Sequence, residues 1–144
     1  MGLNTAGPLN QLKTLVESIT GIQDVYIGVP ENLPKRASAY IALGSQPILL
    51  KATGVAQRDA RYQVTFGYRV GGAEAAAELT IAGWLDAFLQ ELLDDLTLAG
   101  TCEGLDFDTS LADAPGYEKF AGLENRLYPV VVACRQRTNY STSG

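Results

Sequence analysis

The segment RYQVTFGYRVGGAEAAAELTIAGWLDAFLQELLDDL, Arg61 to Leu96, constrains the fold more than any other part of the chain. Its first third places Tyr62, Val64, Phe66, Tyr68 and Val70 at period two, with Arg61, Gln63, Thr65, Gly67 and Arg69 between them. Side chains of a strand alternate between faces, so this spacing predicts a half-buried antiparallel strand. Gly71-Gly72 ends the strand, because two successive glycines accept the backbone angles of a tight turn. From Ala73 the period changes. Ala77, Ile81, Leu85, Phe88, Leu92 and Leu96 recur every three or four residues, and Ala82, Leu89 and Leu93 widen that stripe. Asp86, Gln90, Glu91, Asp94 and Asp95 occupy the opposite side. One strand feeding one long amphipathic helix predicts a helix laid across a sheet.

The flanking sequence supplies the rest of that sheet. GPLNQLKTLVESITG sets Leu9, Leu12, Val16 and Ile19 on one helical face, with Leu15 beside them, Pro8 in the first turn and Gly21 as the stop. QDVYIGV and AYIALG read as strands, and PENLPKRAS between them as an exposed loop. QPILLKATG reads as a strand extension or an edge piece, because its proline lacks a ladder donor. CEGLDFDTSL alternates as a further strand, ADAPGYEKFAG reads as a loop, and LENRLYPVVVACRQR as a final strand. Val130 to Cys134 is apolar on both faces, which predicts cover on both sides, and Pro129 implies a bulge or an edge position. The expected fold is a single α+β domain over residues 1–137: a mostly antiparallel sheet of about four to five strands, packed by one long helix plus an N-terminal helix. Residues 138–144 form a polar tail.

At 144 residues, 47% hydrophobic and 19% charged, the chain has the size and composition of one globular domain. With 11 basic and 16 acidic residues its net charge is −5, so its surface as a whole is no electrostatic footprint for nucleic acid or an anionic membrane. The opening residues lack a signal peptide's basic and apolar regions, and no apolar run is long enough to span a bilayer, so the expectation is a protein made in the cytoplasm, with no membrane partner.

There is no histidine, which removes triads, histidine-based metal sites and a histidine general base. Neither GxxxxGK[ST] nor GxGxxG occurs, and the acidic residues after Gly71-Gly72 repel phosphate. Asp106 and Asp108 share a strand face about 7 Å apart, a spacing a two-carboxylate hydrolase or a hard-cation site uses. Plain alternation in a solvated strand produces the same pattern. Cys102 and Cys134 read as buried or half-buried free thiols, with a disulfide open to them if their strands pair. No enzyme, cofactor or metal is expected.

The charges segregate along the chain. Lys35, Arg36, Lys51, Arg58, Arg61, Arg69, Arg126, Arg135 and Arg137 fall in loops or strands, whereas acids concentrate on the long helix and the strand after it. This suits a head-to-tail assembly in which a basic patch meets an acidic patch on the next copy. The expected contact residues are Lys35, Arg36, Arg58 and Arg61 on one side and Glu91, Asp94 and Asp95 on the other, with the loops Pro30–Ser38 and Thr53–Asp59 touching neighbours.

The order of elements, and above all YQVTFGYRVGGAEAAAELTIAGWLDAFLQELL with ENRLYPVVVAC as the closing strand, resembles the tail terminator (tail completion) proteins of long-tailed bacteriophages, the minor tail protein U-like group. The resemblance covers most of residues 8–137 and lies in elements and phasing, so it carries over no functional residue. It implies a structural virion protein at the head–tail junction. Such a protein forms a homo-oligomer, a hexameric ring, that caps the tail tube protein and stops its polymerisation. The ring meets the head connector or neck protein and lets double-stranded DNA through its lumen without sequence-specific binding. Alternatives are another head–tail joining or tail-tube-like ring protein, or, in a different class, a small-molecule-binding regulatory α+β domain.

Overall fold

A computed structural model describes residues 2–31, 33, 35–51, 53–72, 74–107, 116–120 and 122–141. In chain order the elements are α1 (Ala6–Glu17), β1 (Asp24–Ile27), β2 (Ala37–Leu43), β3 (Ile48–Leu50), β4 (Val55–Arg69), α2 (Glu74–Asp94), β5 (Gly104–Phe107), β6 (Gly116–Phe120) and β7 (Leu123–Asn139). The strands form one sheet in the order β1-β2-β4-β7-β5, with β3 pairing on β4 and β6 on β7. The class is the expected α+β domain, and among the described residues the sheet has seven strands where four to five were expected.

The centre of the sheet is the pairing of β4 with β7, in register from Val55 against Asn139 to Arg69 against Asn125. Even-numbered residues of both strands face the helices. Tyr62, Val64, Phe66, Val130, Val132 and Cys134 are buried there together with Ala37, Ala39 and Ile41 of β2. From the helix side Leu12, Val16 and Ile19 meet Ile81, Trp84, Phe88 and Leu92. Phe66 lies at the hub, 5.5 Å edge-on to Phe88 and 6.4 Å from Trp84, and Tyr68 meets Trp84 edge-on at 5.8 Å. Such ring pairs each add about 0.5–1.5 kcal/mol beyond the area they bury.

The apolar stripe of α2 differs from expectation in phase. Trp84 takes the buried place assigned to Leu85, which is half-buried, while Leu93 and Leu96 are exposed and Leu96 lies past the helix end. The wide indole ring reaches the sheet across Phe66 and Tyr68, so the residue with most area to bury sets the helix rotation.

Other differences concern edges. The segment expected as the loop ADAPGYEKFAG contains β6, a hairpin partner of β7 from Phe120 against Leu123 to Gly116 against Leu127. Thr53–Asp59 is not a loop either. From Val55 onward it is the start of β4, held on one side by β3 and on the other by β7. The expected tail starts inside the ladder, since β7 runs to Asn139 and the Tyr140 amide donates to the Gly54 carbonyl at 2.8 Å. Residues 142–144 and Asp108 lie outside the described residues. At Pro129, β6 covers β7 up to Leu127 and β5 begins at Val132, so among the described residues this stretch has only β4 beside it.

β1 and β2 run parallel, with Asp24 beside Ser38 and Ile27 beside Ile41. The connection between them crosses the sheet face away from the helices. Leu33 anchors it there, buried with Tyr40 and Leu127, and Arg69 donates to the Leu33 carbonyl at 3.1 Å. Close approach is possible because Gly67 lies underneath: a Cβ at that position would come within 3.2 Å of both Leu33 Cδ1 and Leu127 Cδ2.

Candidate assembly surfaces

Two surfaces of opposite character stand out. The first is the helix layer. α2 carries Glu74, Glu78, Asp86, Glu91 and Asp94 and no cation. Removing those 5 acids from the chain's 16 leaves 11 against 11 basic residues, so the net charge of −5 resides on this one helix. Its outer side also exposes Leu79 and Leu93. Near its start Glu78 accepts from the Arg126 guanidinium of β7 and from the Tyr117 hydroxyl of β6, and the hydrogen bond from Arg126 holds the Glu78 carboxyl below its usual range. Towards its end an open groove separates α2 from α1. One hollow of about 370 Å³ is lined by Ser18, Ile19, Thr20, Gly83, Trp84, Ala87 and Glu91. A second of about 190 Å³, sharing Ser18 and Glu91, continues past Thr14, Leu15, Asp95 and Leu98. The lining is mixed, with Ile19, Trp84, Ala87, Leu15 and Leu98 beside Ser18, Thr20, Thr14 and Gln11, and its acids are Glu91 and Asp95.

The second surface is an arm. β2 covers β4 only from Tyr62 onward; before that the partner on this edge is the short β3. Ile48, Leu49 and Leu50 are 52%, 56% and 62% exposed, and Leu43, at the end of β2, is exposed as well. Three successive exposed aliphatic residues on an edge strand are a feature that soluble proteins avoid unless the edge is used. Around them the arm is cationic. Residues 45–61 and 135–141 include Lys51, Arg58, Arg61, Arg135 and Arg137 against Asp59 alone. Arg135 pairs with Asp106 at 3.5 Å and Arg137 with Glu103 at 3.3 Å, so Lys51, Arg58 and Arg61 against Asp59 leave the arm a net excess of two positive charges.

Compared with known families and curated sequences, the chain matches none.

The expected contact residues are therefore placed as follows. Lys35 and Arg36 are exposed at the far end of β4, with the Arg36 guanidinium 5.0 Å over the Tyr68 ring. Arg58 and Arg61 belong to the arm, on the order of 30 Å away by strand rise, so the four cations are not one patch. Arg58 is also turned inward, its guanidinium donating to Gln136 Oε1 at 2.6 Å, and Arg61 donates to the Ser45 hydroxyl at 2.9 Å. Glu91, Asp94 and Asp95 do cluster at the end of α2. Asp95 has a structural role there too: it accepts the Ala99 amide at 2.9 Å in the turn where Leu98 and Ala99 adopt positive φ.

The sequence reading missed Gln136. Fully buried, it receives the Asn4 amide at 3.1 Å and the Arg58 guanidinium, and donates to the carbonyls of Asn4 at 2.6 Å and Thr101 at 3.0 Å. It ties the N-terminal segment, the turn after α2 and the arm together at one point. Phase was the available signal, because Gln136 is two residues from Cys134 on the buried face.

Among the described residues no three histidine, cysteine, aspartate or glutamate side chains converge as metal ligands. Asp106, half of the carboxylate pair, is exposed and paired with Arg135. The two cysteines are free and buried, with their thiols hydrogen-bonded to each other. No described helix is long and apolar enough to cross a membrane.

Proposed function

We propose that this chain is a structural ring protein of a long-tailed bacteriophage, a tail terminator. It caps the finished tail tube, stops its polymerisation and joins the tail to the head connector, with double-stranded DNA passing through its lumen. The observation that carries this reading is the pair of unlike surfaces on one domain. A cationic arm with an exposed apolar edge stands apart from an acidic helix layer with an open groove. A closed ring needs a heterologous interface, and a heterologous interface needs two different patches on each copy. The acidic helix also suits a protein past which DNA slides, since concentrated negative charge opposes phosphate binding.

The test is genetic and visual. Deleting the gene from the virus that carries it yields over-long tubes without heads, seen by negative-stain electron microscopy. Tails of normal length joined to heads in the deletion strain overturn the reading. A ring located at the head–tail junction of the intact virion supports it.

A further inference from the structure

We propose that the apolar edge of the arm, Ile48–Leu50 with Lys51, seats in the groove between α1 and α2 of a second copy of this chain. The inference rests on the ring reading and names the two halves of its interface.

Three observations carry it. First, the arm exposes Ile48, Leu49 and Leu50 by more than half each, and among the described residues β3 pairs only with β4, which leaves its other edge uncovered by them. Second, the charges are complementary. Lys51 and Arg61 give the arm its outward-facing cations, Arg58 being turned inward to Gln136, while the groove is bordered by Glu91 and Asp95 and belongs to the helix whose five acids equal the chain's whole net charge. Third, the groove contains a glycine the fold does not require. Gly83 lies inside α2, and a Cβ there would meet nothing within 4 Å. Glycine in a helix interior costs about 0.8–1 kcal/mol relative to alanine. What the missing side chain provides is room beside Ala87 and Trp84, in the hollow of about 370 Å³.

A second copy is the occupant because both halves are on every copy and lie on different parts of it. An arm that docks in the next copy's groove leaves one arm and one groove open at the ends of the pair, so association continues until a ring closes. Burying two leucine side chains across such a contact accounts for at least about a hundredfold in affinity.

Sedimentation velocity of the full chain over a concentration series tests this. Two variants block opposite halves: Leu49→Asp on the arm and Gly83→Leu in the groove. Gly83→Leu replaces glycine with a strong helix former, so its thermal midpoint holds or rises and lost assembly cannot be put down to unfolding. Each variant alone loses association at least about a hundredfold. Mixed, they form a one-to-one heterodimer that does not grow, because only the Gly83→Leu arm and the Leu49→Asp groove remain usable. Lys51→Glu weakens assembly, and adding Glu91→Lys in the same chain restores it. Wild-type affinity in both single variants overturns the proposal; if rings still form, the ring reading stands and only this interface falls. A wild-type chain that stays monomeric throughout the series overturns a second copy as the occupant, while tube-length control in the deletion strain is judged separately.

Discussion

Replacing Gln136 by leucine removes a polar junction without changing side-chain size by much. Gln136 takes part in four hydrogen bonds, with the Asn4 amide, the Asn4 and Thr101 carbonyls and the Arg58 guanidinium. Each of the three neutral bonds contributes about 1 kcal/mol net and the charged one about 2 kcal/mol, an upper figure of about 5 kcal/mol. Two effects reduce it: Asn4 is exposed and regains water, and a buried leucine adds apolar contact. A loss of about 3 kcal/mol is expected, roughly 6–12 °C in thermal midpoint for a domain of this size. Urea unfolding followed by circular dichroism measures it. Hydrogen exchange adds a local readout, because the Glu103 amide that donates to the Arg135 carbonyl at 2.8 Å opens as the turn after α2 loosens. A loss below about 1 kcal/mol, with Glu103 as protected as before, refutes the claim that this side chain ties three segments together.

Gly67→Ala, which pushes a methyl against Leu33 and Leu127, costs about 1–3 kcal/mol in urea unfolding. Gly83→Ala, which meets nothing, instead raises stability by about 0.8–1 kcal/mol in the same assay. Burial pushes the Tyr62 phenol above the ordinary value of 10.0, so the folded state holds it neutral while the unfolded phenol ionises. Its contribution is complete below pH 10.0 and is lost as pH rises from there towards the folded value, so urea midpoints fall in that window and Tyr62→Phe flattens the fall. That variant also loses the hydrogen bond to the Thr5 carbonyl at 2.7 Å, about 1 kcal/mol at neutral pH. Cys102 and Cys134 are buried and bonded to each other, with Cys134 held strongly protonated by that bond and by burial. Labelling by an aromatic disulfide reagent therefore tracks global unfolding measured by circular dichroism; fast labelling of the folded chain contradicts their placement.

The central part of the fold was legible because two periods are written plainly in Arg61–Leu96. Where the pattern is long, as in the alternation from Tyr62 to Val70, the strand and its buried face follow directly. Legibility failed where pairing, not composition, makes the strand. Gln57, Arg58 and Asp59 are polar residues in β4 because β3 and β7 hold them on both sides, and GYEKF is a strand because it folds back on β7. The surfaces were half legible. Acids on the α2 face are a local pattern that the helix presents as read, whereas the cations come from segments that the fold separates. Arg36 ends above Tyr68, and Arg58 turns inward to Gln136. The exposed edge Ile48–Leu50 read as a strand but not as a surface, since only the topology shows that β2 stops short of it.

The pairing of β4 with β7 has a consequence for how the chain folds. The two strands at the middle of the sheet are separated in sequence by α2, β5 and β6, so the contacts that close the core are among the most distant in the molecule. Folds dominated by such pairings close slowly, because the entropy of a long loop is lost before any contact compensates it. During synthesis β4 waits for its partner, with Tyr62, Val64 and Phe66 on a strand whose β7 side is unpaired along its whole length from Val55 to Arg69. That interval is when two nascent copies are most able to pair with each other wrongly. A β7 that arrives late therefore sets the length of the interval in which wrong pairing competes with folding.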